Sequence, residues 1–195
     1  MKVIAVTGVP GTGKTALSKR LAKELGFYYF DVNEFIDKNK LYGAFDKKRK
    51  TKIVDIKKLN KKLIEVIDFL KNYKNIENAP MSKARSTKTI TKEYIIKNIY
   101  NKSNKKIKGI IIDSHLSHYL PRRYIDLCIV TKCSIEILNK RLKKKKFHKN
   151  KIKENLQAEI FDICYTEAVA RKHKVIVAYT TKGFNTGRIA KQLGG

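Results

Sequence analysis

The stretch Gly8-Val9-Pro10-Gly11-Thr12-Gly13-Lys14-Thr15 decides how this chain folds. In front of it stands Val3–Thr7, a short β-branched run of the kind that forms a buried strand. Behind it Leu17, Leu21 and Leu25 recur at helical spacing, and Gly26 supplies a stop. A strand, a glycine-rich turn and a helix in that order make a cradle for phosphate. Glycines let the backbone wrap an anion with its N–H groups pointing inward, where side chains would obstruct. The helix starting near Lys14 adds its positive N-terminal end. In such a cradle Lys14 neutralises β- and γ-phosphate charge, and the Thr15 hydroxyl reaches a magnesium ion. The stretch reads as the site of a purine nucleoside triphosphate.

Working outward, further short apolar runs lie at Phe27–Phe30, Ile107–Ile112, Ile125–Val130 and Val175–Tyr179. Helical spacing marks Ile56–Leu70, Ile135–Leu142, Lys151–Arg171 and Gly187–Leu193, and Asn33 is placed to cap a short helix. Five short apolar strands alternating with helices predict an α/β fold: a mainly parallel sheet with helices on both faces. Right-handed crossovers then put ligands at the C-terminal ends of the strands. Lys71–Asn104 differs: it is rich in Lys, Asn, Ser and Thr, contains Pro80, and reads as a lysine-rich insertion with one helix over Thr91–Tyr100.

A triphosphate site needs a second acidic group for the metal. Asp113 ends the run Ile110-Ile111-Ile112, where a strand delivers it beside the loop, and it is the candidate magnesium-side carboxylate. His115 is read as a polar group near the γ-phosphate that orients water or acceptor, and His118 as a hydrogen-bonded structural histidine. The cluster Asp113-Ser114-His115-Leu116-Ser117-His118 offers too few ligand types for transition-metal binding to be favoured. After Arg141 comes Lys143-Lys144-Lys145-Lys146, which suits a solvated helix end, a nucleic-acid patch, or a lid that closes cations over the phosphate. Its place between the fourth strand and the next long helix favours the lid.

The chain has 195 residues, 42% of them hydrophobic, which fits one domain with a real core. Its 45 basic and 17 acidic residues give a net charge of +28. Attraction to polyanions such as RNA and a merely compositional lysine bias both account for that charge. Cys128, Cys133 and Cys164 are odd in number and form no Cys-x-x-Cys pair, so a disulfide framework or zinc site is not expected. Cys128 lies in an apolar run and reads as core. No stretch approaches the length of a membrane span, and a cytoplasmic protein is expected.

Three blocks together resemble the adenylate kinase 6, or Fap7-like, family in its archaeal form. They are Gly8–Thr15, then Asp113-Ser114-His115-Leu116-Ser117-His118-Tyr119-Leu120, then Lys149-x-Lys151-Ile152-x-Glu154-Asn155-Leu156-Gln157-Ala158-Glu159-Ile160-Phe161. The resemblance implies a P-loop kinase three-layer fold with a five-stranded parallel sheet. It implies transfer of the ATP γ-phosphate to AMP with Mg²⁺, an ATPase activity, and work with a small-subunit ribosomal protein and rRNA in pre-ribosome maturation. By motif match Gly11, Thr12, Gly13, Lys14, Thr15 and Ala16 contact ATP, with Arg141, Lys145 and Thr181 around the same nucleotide. Lys14, Asp113 and His115 are the implied catalytic residues, and Thr15 and Asp113 the metal-side pair. Residues 31–54 form the implied AMP-binding segment and 144–153 the lid. Two positions depart from the pattern. Relatives carry Arg-Gly-aromatic in the lid where this chain has Lys145-Lys146-Phe147, which keeps charge but loses the planar fork. Asp37 stands near where some relatives place an arginine, leaving Lys38, Arg122 and Arg123 as the AMP-side cations, with Lys38 and Arg123 preferred.

Three functions follow: an AMP kinase, a ribosome-assembly ATPase that uses nucleotide as a switch, or a P-loop kinase with another small acceptor.

Overall fold

The computed structural model describes residues 1–46, 51–72 and 107–194. Within them β1 (Lys2–Thr7) leads through the phosphate loop into α1 (Lys14–Leu25), followed by β2 (Tyr28–Asp31) and α2 (Val32–Lys38). A small hairpin, β3 (Tyr42–Asp46) and β4 (Thr51–Val54), precedes α3 (Ile56–Asn72). The rest is β5 (Gly109–Asp113), two single turns of 3₁₀ helix, β6 (Leu127–Lys132), α4 (Ile135–Lys144), α5 (Lys149–Ile160), α6 (Ile163–Ala170), β7 (Val175–Tyr179) and α7 (Thr186–Gly194).

The main sheet has five strands in the order β2-β5-β1-β6-β7, every neighbouring pair parallel. That is the predicted α/β architecture. Its central strands have no solvent-facing side: Val3, Ile4, Ala5 and Val6 of β1 and Ile110 and Ile111 of β5 are fully buried. One apolar layer joins Leu17 and Leu21 of α1 to Ile4, Val6, Ile111 and Ile129. The other joins Val3, Ala5, Ile110 and Cys128 to Phe30, Phe35 and the buried face of α3. Alternation along each strand sends successive side chains to opposite layers, so a continuous apolar run is what a two-sided sheet requires. Cys128 is core, as its run predicts.

The differences from expectation have local causes. The long helix expected over Lys151–Arg171 is two, because Asp162 adopts φ 52°, a left-handed conformation that ends α5 and starts α6. The Asp162 carboxylate is paired with Lys132 at the end of β6. The cap of α2 is Asp31, whose Oδ1 accepts the backbone N–H groups of Asn33 at 2.9 Å and Glu34 at 3.2 Å; Asn33 is not the cap. The fifth strand starts at Gly109, later than Ile107, and a Cβ there would lie 2.4 Å from the Phe27 ring. The β3–β4 hairpin has no signal that the sequence reading used. The expected insertion over Lys71–Asn104 contributes Lys71 and Asn72 to the end of α3; its remainder, including the helix expected over Thr91–Tyr100, lies outside the described residues, as do residues 47–50.

Candidate active site

The phosphate loop hangs between the C-terminal end of β1 and α1. Gly8 (φ 137°) is pressed against β6, and a Cβ there would stand 2.5 Å from the Thr131 backbone oxygen. Gly13 takes the N-cap position of α1 at φ 91° with no side-chain cap. The first N–H groups of α1 therefore have no partner within the helix and face the cleft as an anion site. Thr12 plays a different part from its neighbours. Its hydroxyl lies 2.8 Å from the Val9 carbonyl and 2.7 Å from Thr131 Oγ1, and it is fully buried, so its side chain braces the loop from behind.

A cleft of about 1060 Å³ opens in front of the loop. Gly11, Gly13, Lys14, Thr15 and Ala16 line it, and so do Asp113, His115, Arg141 and Lys145. Besides Thr12, three residues expected at nucleotides do not line it. Thr181 accepts the Ser134 backbone N–H at 2.9 Å, and it is the neighbouring Thr180 that faces the cleft. Lys38 pairs with Glu34 at 2.5 Å on the exposed side of α2. Arg123 stacks on the Tyr124 ring at 5.1 Å.

Lys14 is tethered within the loop. Its Nζ donates to the Val9 carbonyl at 3.0 Å, and burial pushes its pKa down to about 8 against the opposing pull of Asp113. A triphosphate bound here stabilises the ammonium and raises that pKa. Nucleotide affinity is therefore expected to hold below about pH 8 and to fall as the pH rises through it, because binding must then also take up a proton. Titration with a fluorescent ATP analogue from pH 7 to 9.5 reads this; a flat profile refutes it.

Asp113 lies at the end of β5 in register with Val6 on one side and Asp31 on the other. It is almost wholly buried, and that burial raises its pKa, while hydrogen bonds from Thr15 and Tyr29 and the charge of Lys14 oppose the shift. A serine- or threonine-type hydroxyl beside a carboxylate is an all-oxygen donor pair that suits a hard cation such as Mg²⁺. Thr15 is near enough to Asp113 to lower its pKa against the effect of burial, so the two oxygens face the same part of the cleft. His115 lines the same cleft with its side chain partly open to solvent; desolvation in the cleft first and the Lys14 charge second hold its pKa below the ordinary histidine value, so its ring is neutral at physiological pH. Among the described residues, no group of three or more His, Cys, Asp or Glu side chains could hold a metal.

His118 turns away from the cleft. It is buried, its Nδ1 lies 2.7 Å from Thr7 Oγ1 and its Nε2 2.8 Å from Glu167. Since the carboxylate only accepts, Nε2 carries the proton and Nδ1 accepts from Thr7. This is the structural role read from the sequence.

The expected lid, residues 144–153, is a helical hairpin: the end of α4, a turn over 145–148, and the start of α5. Arg141 does not swing free; it donates to the Gly11 carbonyl at 3.4 Å and to the Thr180 carbonyl at 3.0 Å, tying α4 to the phosphate loop and to the loop after β7. Lys144 joins Lys145 in the cleft wall. The sequence reading missed Tyr29, Lys19, Asn33 and Phe184. The first donates to Asp113 at 3.0 Å, and the other three line the cleft. The alternation Tyr29–Asp31 beside a strand-end carboxylate was the signal available for Tyr29. Phe184 is held by Arg20, whose guanidinium lies 5.8 Å from its ring centroid. In total five cations (Lys14, Lys19, Arg141, Lys144 and Lys145) and one carboxylate line the cleft, a balance that selects a polyanion.

The sequence family described as an AAA domain matches residues 4–162. A Methanocaldococcus jannaschii protein named "Putative adenylate kinase" is 32% identical over 172 residues, 88% of this chain and 75% of that one. A Caenorhabditis elegans protein named "Adenylate kinase isoenzyme 6 homolog" is 28% identical over 165 residues, 85% of this chain and 71% of that one. A crystal structure of a "putative kinase" from Chloroflexus aurantiacus aligns with TM-score 0.50 at 14% identity, over 99% of this chain and 96% of that one, which shows the shared P-loop kinase fold. Among the described residues no helix is long and apolar enough to cross a membrane. With its loop, its five-stranded parallel sheet and these matches, the chain belongs to the AAA-domain family of P-loop proteins, alongside relatives named adenylate kinase.

Proposed function

We propose that the protein is a nucleoside monophosphate kinase that transfers the γ-phosphate of ATP to AMP, as the names of its relatives suggest. The observation that carries the proposal is the cleft itself: five cations, one carboxylate and a helix N-terminus around about 1060 Å³. Ligand pockets are typically about 300–1,000 Å³, and the cleft lies at the top of that range.

Phosphoryl transfer asks little covalent work of a protein; it asks for positioning and charge neutralisation. In this reading the α1 N–H groups and Lys14 hold the triphosphate, and Arg141, Lys144 and Lys145 of the cleft wall neutralise the charge that develops on the transferring group. Thr15 and Asp113 would hold Mg²⁺, which supplies charge neutralisation on the β- and γ-oxygens when bound. Neutral His115 orients the acceptor oxygen or, without an acceptor, a water molecule, which would give the same site an ATPase activity. His115→Ala is expected to lower ATP hydrolysis far more than ATP binding. Measuring both on one preparation decides it: equal losses would make His115 a binding residue.

The AMP side is assigned to the segment from Asp31 to Val54, whose α2 start brings Asn33 into the cleft wall. The lid role belongs to the hairpin over 144–153. Purified protein with Mg-ATP and AMP should form ADP at a rate that depends on AMP. Absence of AMP-dependent turnover with ATP still bound would refute AMP as acceptor, and a screen of other acceptors would then follow.

The second reading is a cytoplasmic assembly ATPase of the Fap7-like, archaeal type, acting with a small-subunit ribosomal protein on rRNA. The net charge of +28 favours contact with a polyanion. Co-sedimentation with small-subunit precursors that responds to ATP supports it; binding that moderate salt abolishes and nucleotide does not alter would be electrostatics alone.

A further inference from the structure

Tyr29 and Asp31 are two residues apart on β2, so both side chains project from the same face of the sheet. On the neighbouring strand the parallel register sets Tyr29 beside Ile111 and Asp31 beside Asp113. This is the face that α1 covers, since Tyr29 packs against the cluster of Leu17, Leu21 and Ile111. The phenol therefore reaches along the strand ends to the level of the acidic pair. Its hydroxyl lies 3.0 Å from Asp113 Oδ2 and 3.3 Å from Asp31 Oδ2.

A phenol has one proton, and only one carboxylate can take it at full strength. Asp31 is already engaged as the cap of α2, where its other oxygen accepts two backbone N–H groups. Asp113 offers the shorter contact. The Thr15 hydroxyl bonds the same Asp113 carboxylate from the side of α1. Asp113 is thus gripped from two elements, α1 and β2, and loses the freedom to rotate about its side-chain bonds. The Tyr29 ring is held in its turn by Lys19, whose ammonium stands 5.4 Å from the ring centroid.

We propose that Tyr29 is a positioning residue for the metal-side carboxylate: its hydroxyl pins Asp113 Oδ2, so that the carboxylate meets the cation of a nucleotide–metal complex in one orientation. The proposal rests on the reading of Asp113 as that carboxylate. Partners that orient a ligating group behave this way in general, and losing one weakens metal binding by about 10–100-fold. Tyr29→Phe removes the hydroxyl and keeps the ring, its packing and its contact with Lys19.

The test compares the binding of a fluorescent ATP analogue to the full chain with Mg²⁺ and with EDTA, and adds the Mg²⁺ concentration that half-saturates turnover. In Tyr29→Phe, EDTA-condition affinity should stay within about twofold of the parent, while the half-saturating Mg²⁺ concentration rises by about tenfold. Excess Mg²⁺ should restore most of the rate. An unchanged Mg²⁺ dependence overturns the proposal. So does an equal loss of affinity with and without Mg²⁺, which a purely structural hydroxyl would produce. Asp113→Asn, run in parallel, separates the layers. If it abolishes the Mg²⁺ dependence while Tyr29→Phe does not move it, only the role of Tyr29 fails. If Asp113→Asn itself keeps the parent's Mg²⁺ dependence, the metal-side reading of Asp113 fails first.

Discussion

Lys14→Ala is expected to lower ATP-dependent phosphoryl transfer by about two decades or more, by analogy with the loss of a preorganised electrostatic donor, about 2.7–4 kcal/mol of transition-state stabilisation. The size of the effect follows from where the ammonium sits. It is half-buried in the cleft wall, desolvated enough for its pKa to drop to about 8, and parked on the Val9 carbonyl. A charge in that setting acts at short range with little water to screen it, so its removal is felt fully by the phosphate. The fold should not suffer, because a desolvated ammonium opposes folding. With a folded pKa below the ordinary lysine value, Lys14 disfavours the folded state while it is charged, below about pH 8, and that penalty is relieved as the pH rises toward 10.5. Removing it should leave the melting temperature at neutral pH unchanged or higher. A variant with near-parental activity would show that the loop is misassigned; one that has lost both fold and activity would say nothing about the phosphate and contradicts the stability argument.

The second large effect is expected from Asp113→Asn. Asparagine keeps the shape and can still accept from Thr15 and Tyr29, so only the negative charge is lost. Turnover with Mg-ATP should fall by about 10²–10³-fold, the range seen when one electrostatic contact to a developing charge is removed. Binding of ATP in EDTA should change little or tighten, because the carboxylate repels phosphate when no cation intervenes. Folding should again be spared, since burial of Asp113 already raises its pKa and so counts against the charged form. Steady-state rates across a Mg²⁺ titration, with thermal melts on the same samples, check all three parts. Equal loss of ATP affinity in Mg²⁺ and in EDTA would assign Asp113 to general structural support instead.

Both variants act on groups that were visible in the linear chain, and the reason is the local character of the signals. Glycines at 8, 11 and 13 are needed where they stand because the backbone itself takes positive φ there. Lys14 and Thr15 follow because they open the helix. Five apolar runs announce a two-faced parallel sheet, and Asp113 is the first polar residue after one of them. Each of these rests on residues a few positions apart, whose geometry the backbone alone dictates.

What the sequence by itself determined, then, is the α/β architecture, the phosphate loop with its helix, and the presence of Asp113 and His115 in the same cleft. The tertiary structure decided the rest. It turned Thr12 inward against Thr131, more than a hundred residues away in the chain. It moved the wall of the cleft from Thr181 to Thr180, because the Thr181 hydroxyl accepts the N–H of Ser134. It locked Arg141 onto Gly11 and Thr180, and left Lys38 and Arg123 outside the cleft wall. It also split one expected helix at Asp162 and brought Tyr29 to Asp113 through strand register. These are contacts between distant segments, fixed by which strand lies beside which and at what offset. Periodicity within a segment carries no information about that offset, so such contacts become legible only once the sheet is assembled.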